Sequence, residues 1–250
     1  MSTHVEPRIE PAPEILAAAR AWLTPVRAAL GPEFLAAYLT GSVLTHGFNP
    51  KRSRVNLAVI ARALPADTLD AVAAALPRLR GAARLEALFL TRDQIQMSLD
   101  AFPIEWLEMK ERHLLLEGQE VLAALEVPRT YLRLQLEHEL RGKHIQLRQA
   151  YIHFARDPHE LRRLLEVAAS SFAALFRTLV RLRGEEPPAE PQRVVERVAE
   201  LFGLDAQGLS SAHRVRHAAR RHKSAEIVPI YRRFLAEVDC LIAALDRMKT

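Results

Sequence analysis

After Pro128 this chain stops offering strands, and that change of texture constrains its architecture more than any other feature. Before it, short runs rich in strand formers alternate with helical segments. Phe34–Leu39, Val55–Ile60 and Leu85–Leu90 read as strands. Residues 13–30 carry Ile15, Leu16, Ala19, Leu23, Val26 and Leu30 at helical spacing, and Gly31-Pro32 ends that helix. Asp67–Leu79 is expected to be a helix with Asp67 as its N-cap. A short helix opens at Thr91, and Phe102–Leu116 reads as a last extended segment closed by Gly118. Such alternation makes an α/β unit.

Beyond Pro128 the period is helical throughout. Leu132, Leu136, Leu140, Leu147, Tyr151 and Phe154 mark one face of a long helix ending near Asp157-Pro158. Leu161–Leu182 reads as a second helix, Val194–Phe202 and Leu209–Lys223 as shorter ones, and Ala225–Met248 as the last. The tract at residues 184–191 (GEEPPAEP) is a loop. Four or five antiparallel helices of this length make a bundle. The expected fold class is therefore α+β. A disordered lead over 1–11 precedes a mixed α/β domain over 12–125 and a helical bundle over 126–250.

A hydrophobic fraction of 49% is ample for a core and excludes disorder over most of the chain. No apolar run approaches the roughly 18–20 residues that cross a bilayer, and the first residues lack the basic and apolar regions of a signal peptide. One cysteine, Cys240, excludes an internal disulfide framework and a thiolate-rich zinc site; beside Leu241-Ile242 it is expected to be buried and inert. These features point to the cytoplasm and away from membranes. Charge is uneven: 13 Lys/Arg against 14 Asp/Glu over residues 1–125, and 22 against 16 over 126–250. A mildly basic second half suits an anionic partner.

The loop between the first two strands reads Leu39-Thr40-Gly41-Ser42, then Gly47, then Ser53-Arg54-Val55-Asn56-Leu57-Ala58-Val59-Ile60. It resembles the signature of the DNA polymerase β type nucleotidyltransferase superfamily, in particular its aminoglycoside-nucleotidyltransferase-like branch and uncharacterised bacterial relatives. The resemblance implies a nucleotidyltransferase-like N-terminal domain in which the Gly41-Ser42 turn holds a nucleotide's phosphates. It also implies two acids, two residues apart on the second strand, that hold Mg²⁺, with a third acid on a neighbouring strand. The chemistry fits that spacing. Glycine lets the backbone approach a phosphate, and residues i and i+2 of a strand point the same way, so two carboxylates can share a hard cation.

This chain keeps the frame but puts Arg54 and Asn56 where the resemblance asks for the two acids. Arginine has no acceptor and keeps its charge, and asparagine offers one neutral carbonyl. Glu86 in Leu85-Glu86-Ala87-Leu88 is the candidate third acid and the one candidate catalytic residue, with Glu105 the runner-up. The expectation is a protein that lacks metal-dependent nucleotidyl transfer and keeps nucleotide or anion binding, as a sensor or partner-binding module. Gly41, Ser42, Arg54, Asn56, Arg216 and Arg220 are the candidate nucleotide-binding residues, lining a cleft between the two domains, and no residue is assigned to a metal. Mg²⁺ and a nucleoside triphosphate enter as cofactor and substrate only under an alternative. In it an active enzyme transfers a nucleotidyl group using other ligands, such as Glu86 with Glu105 or Asp100.

A third reading places function in the bundle. Residues 213–223 hold five Lys/Arg and three histidines, with no acid between Asp205 and Glu226. A helix through them puts Arg216 and Arg220 on one face, suited to a triphosphate or a nucleic-acid backbone. The bland alternative is a solvated face paired with Glu196, Glu200 or Glu226. Arg148 to His153 and Arg216 to His222 match the Arg-x4-6-His spacing of HEPN-type ribonucleases, at a frequency that 30 arginines and ten histidines supply by chance. His138 and His144, beside Glu137 and Glu139, are expected to be surface residues. A homo-oligomer stays open.

Overall fold

The computed structural model describes residues 9–45, 48–50, 53–76, 84–218 and 222–248, and the statements below concern these. The chain divides into two compact units, Met1–Pro128 and Arg129–Thr250.

In the first unit, helix α1 (Pro13–Leu30) begins with a proline at a position whose N–H would have no partner anyway. It buries Ala19, Trp22, Leu23, Val26 and Leu30 along one stripe. Four strands follow: β1 (Phe34–Thr40), β2 (Val55–Ala61), β3 (Leu85–Thr91) and β4 (His113–Gly118). They form one sheet in the order β3-β2-β1-β4, with β1 antiparallel to β2 and β4, and β2 parallel to β3. Strand alternation divides the core. Ala37, Leu39, Leu57, Val59 and Ala61 pack with the α1 stripe and with Val72 of α2 (Ala66–Ala75). Tyr38, Ala58 and Ile60 pack with Ile95 of α3 (Arg92–Met97), with Trp106 of α4 (Pro103–Glu111), and with Leu99, Leu122 and Leu125.

Thr91 caps α3 in a capping box: the Gln94 N–H donates to its hydroxyl, and its own N–H donates to the Gln94 side chain. Two other expectations here are overturned. Helix α2 starts one residue before Asp67, which lies in its first turn instead of at the cap. There its charge still favours the positive helix end. Phe102–Leu116 is not one extended segment. Pro103 opens helix α4, and β4 begins only at His113. Ile104, Trp106 and Leu107 are all inward, a set that mimics strand alternation over three residues before the helical period separates them.

The second unit is all-helical. Helix α5 (Leu132–Phe154) buries Leu132, Leu136, Leu140, His144 and Leu147. The expected helix over 161–182 is two helices, α6 (Pro158–Ser171) and α7 (Ala173–Leu182), broken at Phe172. No glycine or proline marks that break. The Phe172 ring is buried against Phe176 and Phe234, with centroids 5.6 and 5.4 Å away. Helix α8 spans Pro191–Phe202, and α9 (Ala206–Leu209) is capped by Asp205. Helix α10 (Ser211–His217) stops short of the expected Lys223.

The last helix, α11 (Ser224–Arg247), buries Ile227, Tyr231, Phe234, Val238, Leu241 and Leu245. The Tyr231 hydroxyl donates to the Leu147 carbonyl at 2.9 Å, and burial pushes it up to about 12. Cys240 is exposed, contrary to expectation, because the inward stripe of α11 passes to either side of it. His144 is buried, not surface, with Nε2 2.7 Å from Asp239 Oδ1. His138 is exposed. No described helix is long and apolar enough to cross a membrane.

Candidate functional site

The site grows from the way β1 ends. Gly41 takes φ of +77°, a left-handed conformation that turns the chain out of the sheet into a single 3₁₀ turn, Gly41–Leu44. Thr45 locks that turn, its N–H and hydroxyl both donating to the Ser42 carbonyl at 3.0 and 2.9 Å. The chain returns through a second clasp. Asn49 N–H donates to the Ser53 hydroxyl, and Ser53 N–H donates to the Asn49 carbonyl. Ser53 is buried and holds the entry to β2.

Register then assembles the rest. Asn56 pairs with Thr40 on one side and with Glu86 on the other, so the three lie in one row across β1, β2 and β3. Arg54 and Asn56 are exposed while Val55 and Leu57 between and beyond them are buried. A Cβ on Gly41 would lie 3.3 Å from Asn56 Nδ2, which places that amide against the turn. Arg54 Nη1 donates to Glu86 Oε1 at 2.6 Å. Four of the six nucleotide-binding candidates, Gly41, Ser42, Arg54 and Asn56, therefore gather with Glu86 at one end of the sheet.

Glu105 sits in the first turn of α4 and not in the row. Arg216, on α10 of the second unit, donates to the Glu166 carbonyl at 3.0 Å. Arg220 and Gly47 lie outside the described residues. On the basic helix, Arg214 is turned to Ser210 and the Gln207 carbonyl, while Glu200 pairs with Arg197. The His213 and His217 rings lie tilted against each other at 4.3 Å, and burial, with His217 and Arg216 nearby, lowers the His213 pKa to about 4.

The donor set does not fit Mg²⁺. Such an ion needs several hard anionic oxygens. The row supplies one carboxylate, already paired with a guanidinium that would repel a cation. Among the described residues no group of three His, Cys, Asp or Glu side chains could hold a metal ion.

His113 of β4 pairs with Thr40, extending the row, and its ring meets Tyr38 edge-on at 5.3 Å. The Tyr38 hydroxyl donates to the Gln119 carbonyl at 2.8 Å and accepts from the Val121 N–H at 2.6 Å. Glu120 Oε1 stands 3.4 Å from His113 Nε2. Burial works to raise the Glu120 carboxyl, but the Ala123 N–H, His113 and Tyr38 outweigh it and hold it below the usual range. Reading residues 102–116 as one strand hid this cluster, since it removed the helix that aims His113 Nδ1 at the Met109 carbonyl.

No family model matches the chain, and no curated protein matches it in sequence. Among solved structures it is similar to the spectinomycin adenyltransferase AAD(9) from Enterococcus faecialis, crystallised with ATP and spectinomycin. The identity is 11% and the TM-score 0.58, covering 94% of this chain and 99% of that one. A nucleotidyltransferase-like protein from Exiguobacterium sibiricum matches at 14% identity over 91% of this chain and 74% of that one, with a TM-score of 0.32 that is too low to bear on the fold. At 11% identity the first likeness speaks for architecture alone, and with the Gly41 turn and the β2–β3 row it makes this a nucleotidyltransferase-like fold: a mixed α/β part followed by a helical part.

Proposed function

We propose that the chain binds a nucleotide or another phosphate-bearing anion at the Gly41-Ser42 turn, with Arg54 supplying the positive charge, and that it does not carry out metal-dependent nucleotidyl transfer. The observation that carries this reading is the Arg54–Glu86 pair. A cation stands at the first of the two strand positions where the resemblance expects metal-binding acids, and it reaches the one carboxylate of the row. The pair is exposed on both sides, 63% and 56%, so exchanging the carboxylate for a phosphate costs little. A phosphate offers the planar guanidinium two parallel hydrogen bonds, which one carboxylate oxygen at 2.6 Å does not fill. ATP is the first ligand to try, because the structurally similar adenyltransferase was crystallised with it. The reading describes a cytoplasmic sensor or partner-binding module.

Thermal unfolding with ATP, GTP, CTP or UTP, in EDTA and in Mg²⁺, tests it, because a ligand of the folded state raises the midpoint by mass action. The expected result is a nucleotide-dependent rise that persists in EDTA and disappears in Arg54→Ala. A rise that requires Mg²⁺ overturns the reading in favour of an active transferase with ligands drawn from elsewhere. No rise with any nucleotide or with inorganic phosphate overturns it too. Steeply salt-dependent binding of nucleic acid would then move the function to the bundle.

A further inference from the structure

Helix α5 carries two apolar stripes, and only one of them is buried. Leu136, Leu140 and Leu147 turn into the bundle with His144, while Leu134, Ile145 and Ile152 on the opposite side stay 69%, 58% and 69% exposed. Among the described residues of the second unit five large apolar side chains are exposed, and these three share one line. At about 100° per residue, steps of 11 and then 7 residues return to within about 20° of the starting direction, so the three follow one another along about 27 Å of helix. His138, Arg141 and Arg148 lie within about 40° of the same line and are exposed too. Scattered apolar residues on a surface need no explanation, but an aligned set on a helix that already has a buried face does.

The stripe is symmetric about Lys143. Leu134 and Ile152 stand nine residues to either side of it, and Arg141 and Ile145 two residues to either side. A second copy of α5 laid antiparallel therefore sets Leu134 on Ile152 of the second copy, and Ile145 beside Arg141 of the second copy, twice over. Charge obeys the same symmetry. Glu137, six residues before the centre, and Arg148, five after it, lie on one edge of the stripe, and the two-fold brings that edge of each helix together at mirrored heights. Each Glu137 then faces Arg148 of the second copy. Arg148 makes no hydrogen bond or ion pair among the described residues, and Glu137 accepts from Arg141 at Oε1, which leaves Oε2 for a further donor. Arg141, at the centre, is balanced by Glu137 and Asp246. A parallel pairing would instead set Arg141 against Arg141 and Arg148 near Arg148, which like-charge repulsion disfavours.

We propose that this face of α5 is the contact of a two-fold homodimer in which the two α5 helices run antiparallel, Leu134 packing on Ile152 of the second copy and Glu137 pairing with Arg148 of the second copy. A seam one helix long falls at the low end of specific interfaces, so a dissociation constant on the order of 10 μM is expected. The contact lies within the second unit and is independent of the anion reading, which concerns Gly41 and Arg54.

Sedimentation equilibrium of the full-length protein from about 1 to 200 μM tests it, with a reversible monomer–dimer equilibrium as the expected result. Ile152→Glu should leave a monomer throughout that range with the circular dichroism of the parent. Arg148→Glu should weaken the dimer about tenfold, and Glu137→Arg combined with Arg148→Glu should recover most of that loss. Leu134, Arg148 and Ile152 are exposed, so these changes do not endanger folding. Orientation is read by cross-linking after Cys240, which is exposed, is replaced by serine. Leu134→Cys with Ile152→Cys should then form a disulfide between copies, whereas Leu134→Cys alone should not, because antiparallel pairing keeps its two copies about 27 Å apart. A monomer at every concentration overturns the proposal, leaving the stripe to a different partner. So does a dimer that Ile152→Glu leaves intact, a loss in Arg148→Glu that the double swap does not recover, or a cross-link formed by Leu134→Cys alone.

Discussion

Arg54 and Glu86, 32 residues apart in sequence, meet at 2.6 Å across the parallel pair β2–β3. The contact follows from register. Asn56 faces Glu86 directly, and Arg54 lies one strand repeat earlier on the same face, within reach of a long flexible side chain. Removing the cation should therefore cost function without costing the fold. Arg54→Ala is expected to leave the thermal midpoint within about 2–4 °C of the parent, as for an exposed ion pair, and to abolish the ATP-induced rise. Thermal scans with and without ATP check both parts.

Placing carboxylates at positions 54 and 56 should create a response to Mg²⁺. Arg54→Asp with Asn56→Asp would put three acids, including Glu86, on one face at neighbouring strands, with position 54 one strand repeat before the row. Their mutual repulsion should lower the midpoint in EDTA, and about 10 mM Mg²⁺ should raise it again by several degrees. The parent protein in the same titration should show no Mg²⁺ response.

Gly41 tests the turn itself. A side chain there must accept φ of +77° and a Cβ 3.3 Å from Asn56 Nδ2. Gly41→Ala is expected to destabilise the protein by about 1–2 kcal/mol and to weaken nucleotide binding, because it moves the amide and the turn that would face the phosphate. Urea unfolding gives the first quantity and ATP titration the second.

Tyr38 ties the segment after β4 to the sheet. Tyr38→Phe leaves the packing intact but strips a partner from the Val121 N–H and from the Gln119 carbonyl. A loss of about 1–3 kcal/mol is expected, with faster hydrogen exchange at the Val121 amide.

The second unit should weaken in acid through His213. Its folded value of about 4 lies below the ordinary 6.5, so the unfolded chain takes up a proton that the folded one refuses. Stability from this residue is complete above about 6.5 and is lost as pH falls toward 4. The loss should be about 1–2 kcal/mol after allowance for partial exposure. Hydrogen exchange of the α10 amides at pH 7.5 and pH 5 should show it, and His213→Gln should flatten the difference.

The Pro128 transition, the helix at 13–30, the strands beginning at Phe34, Val55 and Leu85, and the Gly41 turn were all legible in the chain, because period, strand propensity and turn chemistry act within a few residues. The same local rules failed at 102–116, where Ile104, Trp106 and Leu107 satisfy two periods at once. They failed again at Phe172, where a helix that no glycine or proline interrupts breaks at a ring buried against Phe176 and Phe234. Nor could they place Cys240 and His144, whose exposure depends on which neighbours cover α11 and α5.

For the site, sequence alone determined which chemical groups stand at the resembling positions: a glycine turn, a cation, an amide and one acid. Only the tertiary structure decided that the cation takes the acid as its partner. Strand register is a non-local property, set by backbone hydrogen bonds between segments far apart in the chain, and a shift of one residue would have turned Glu86 to the opposite face.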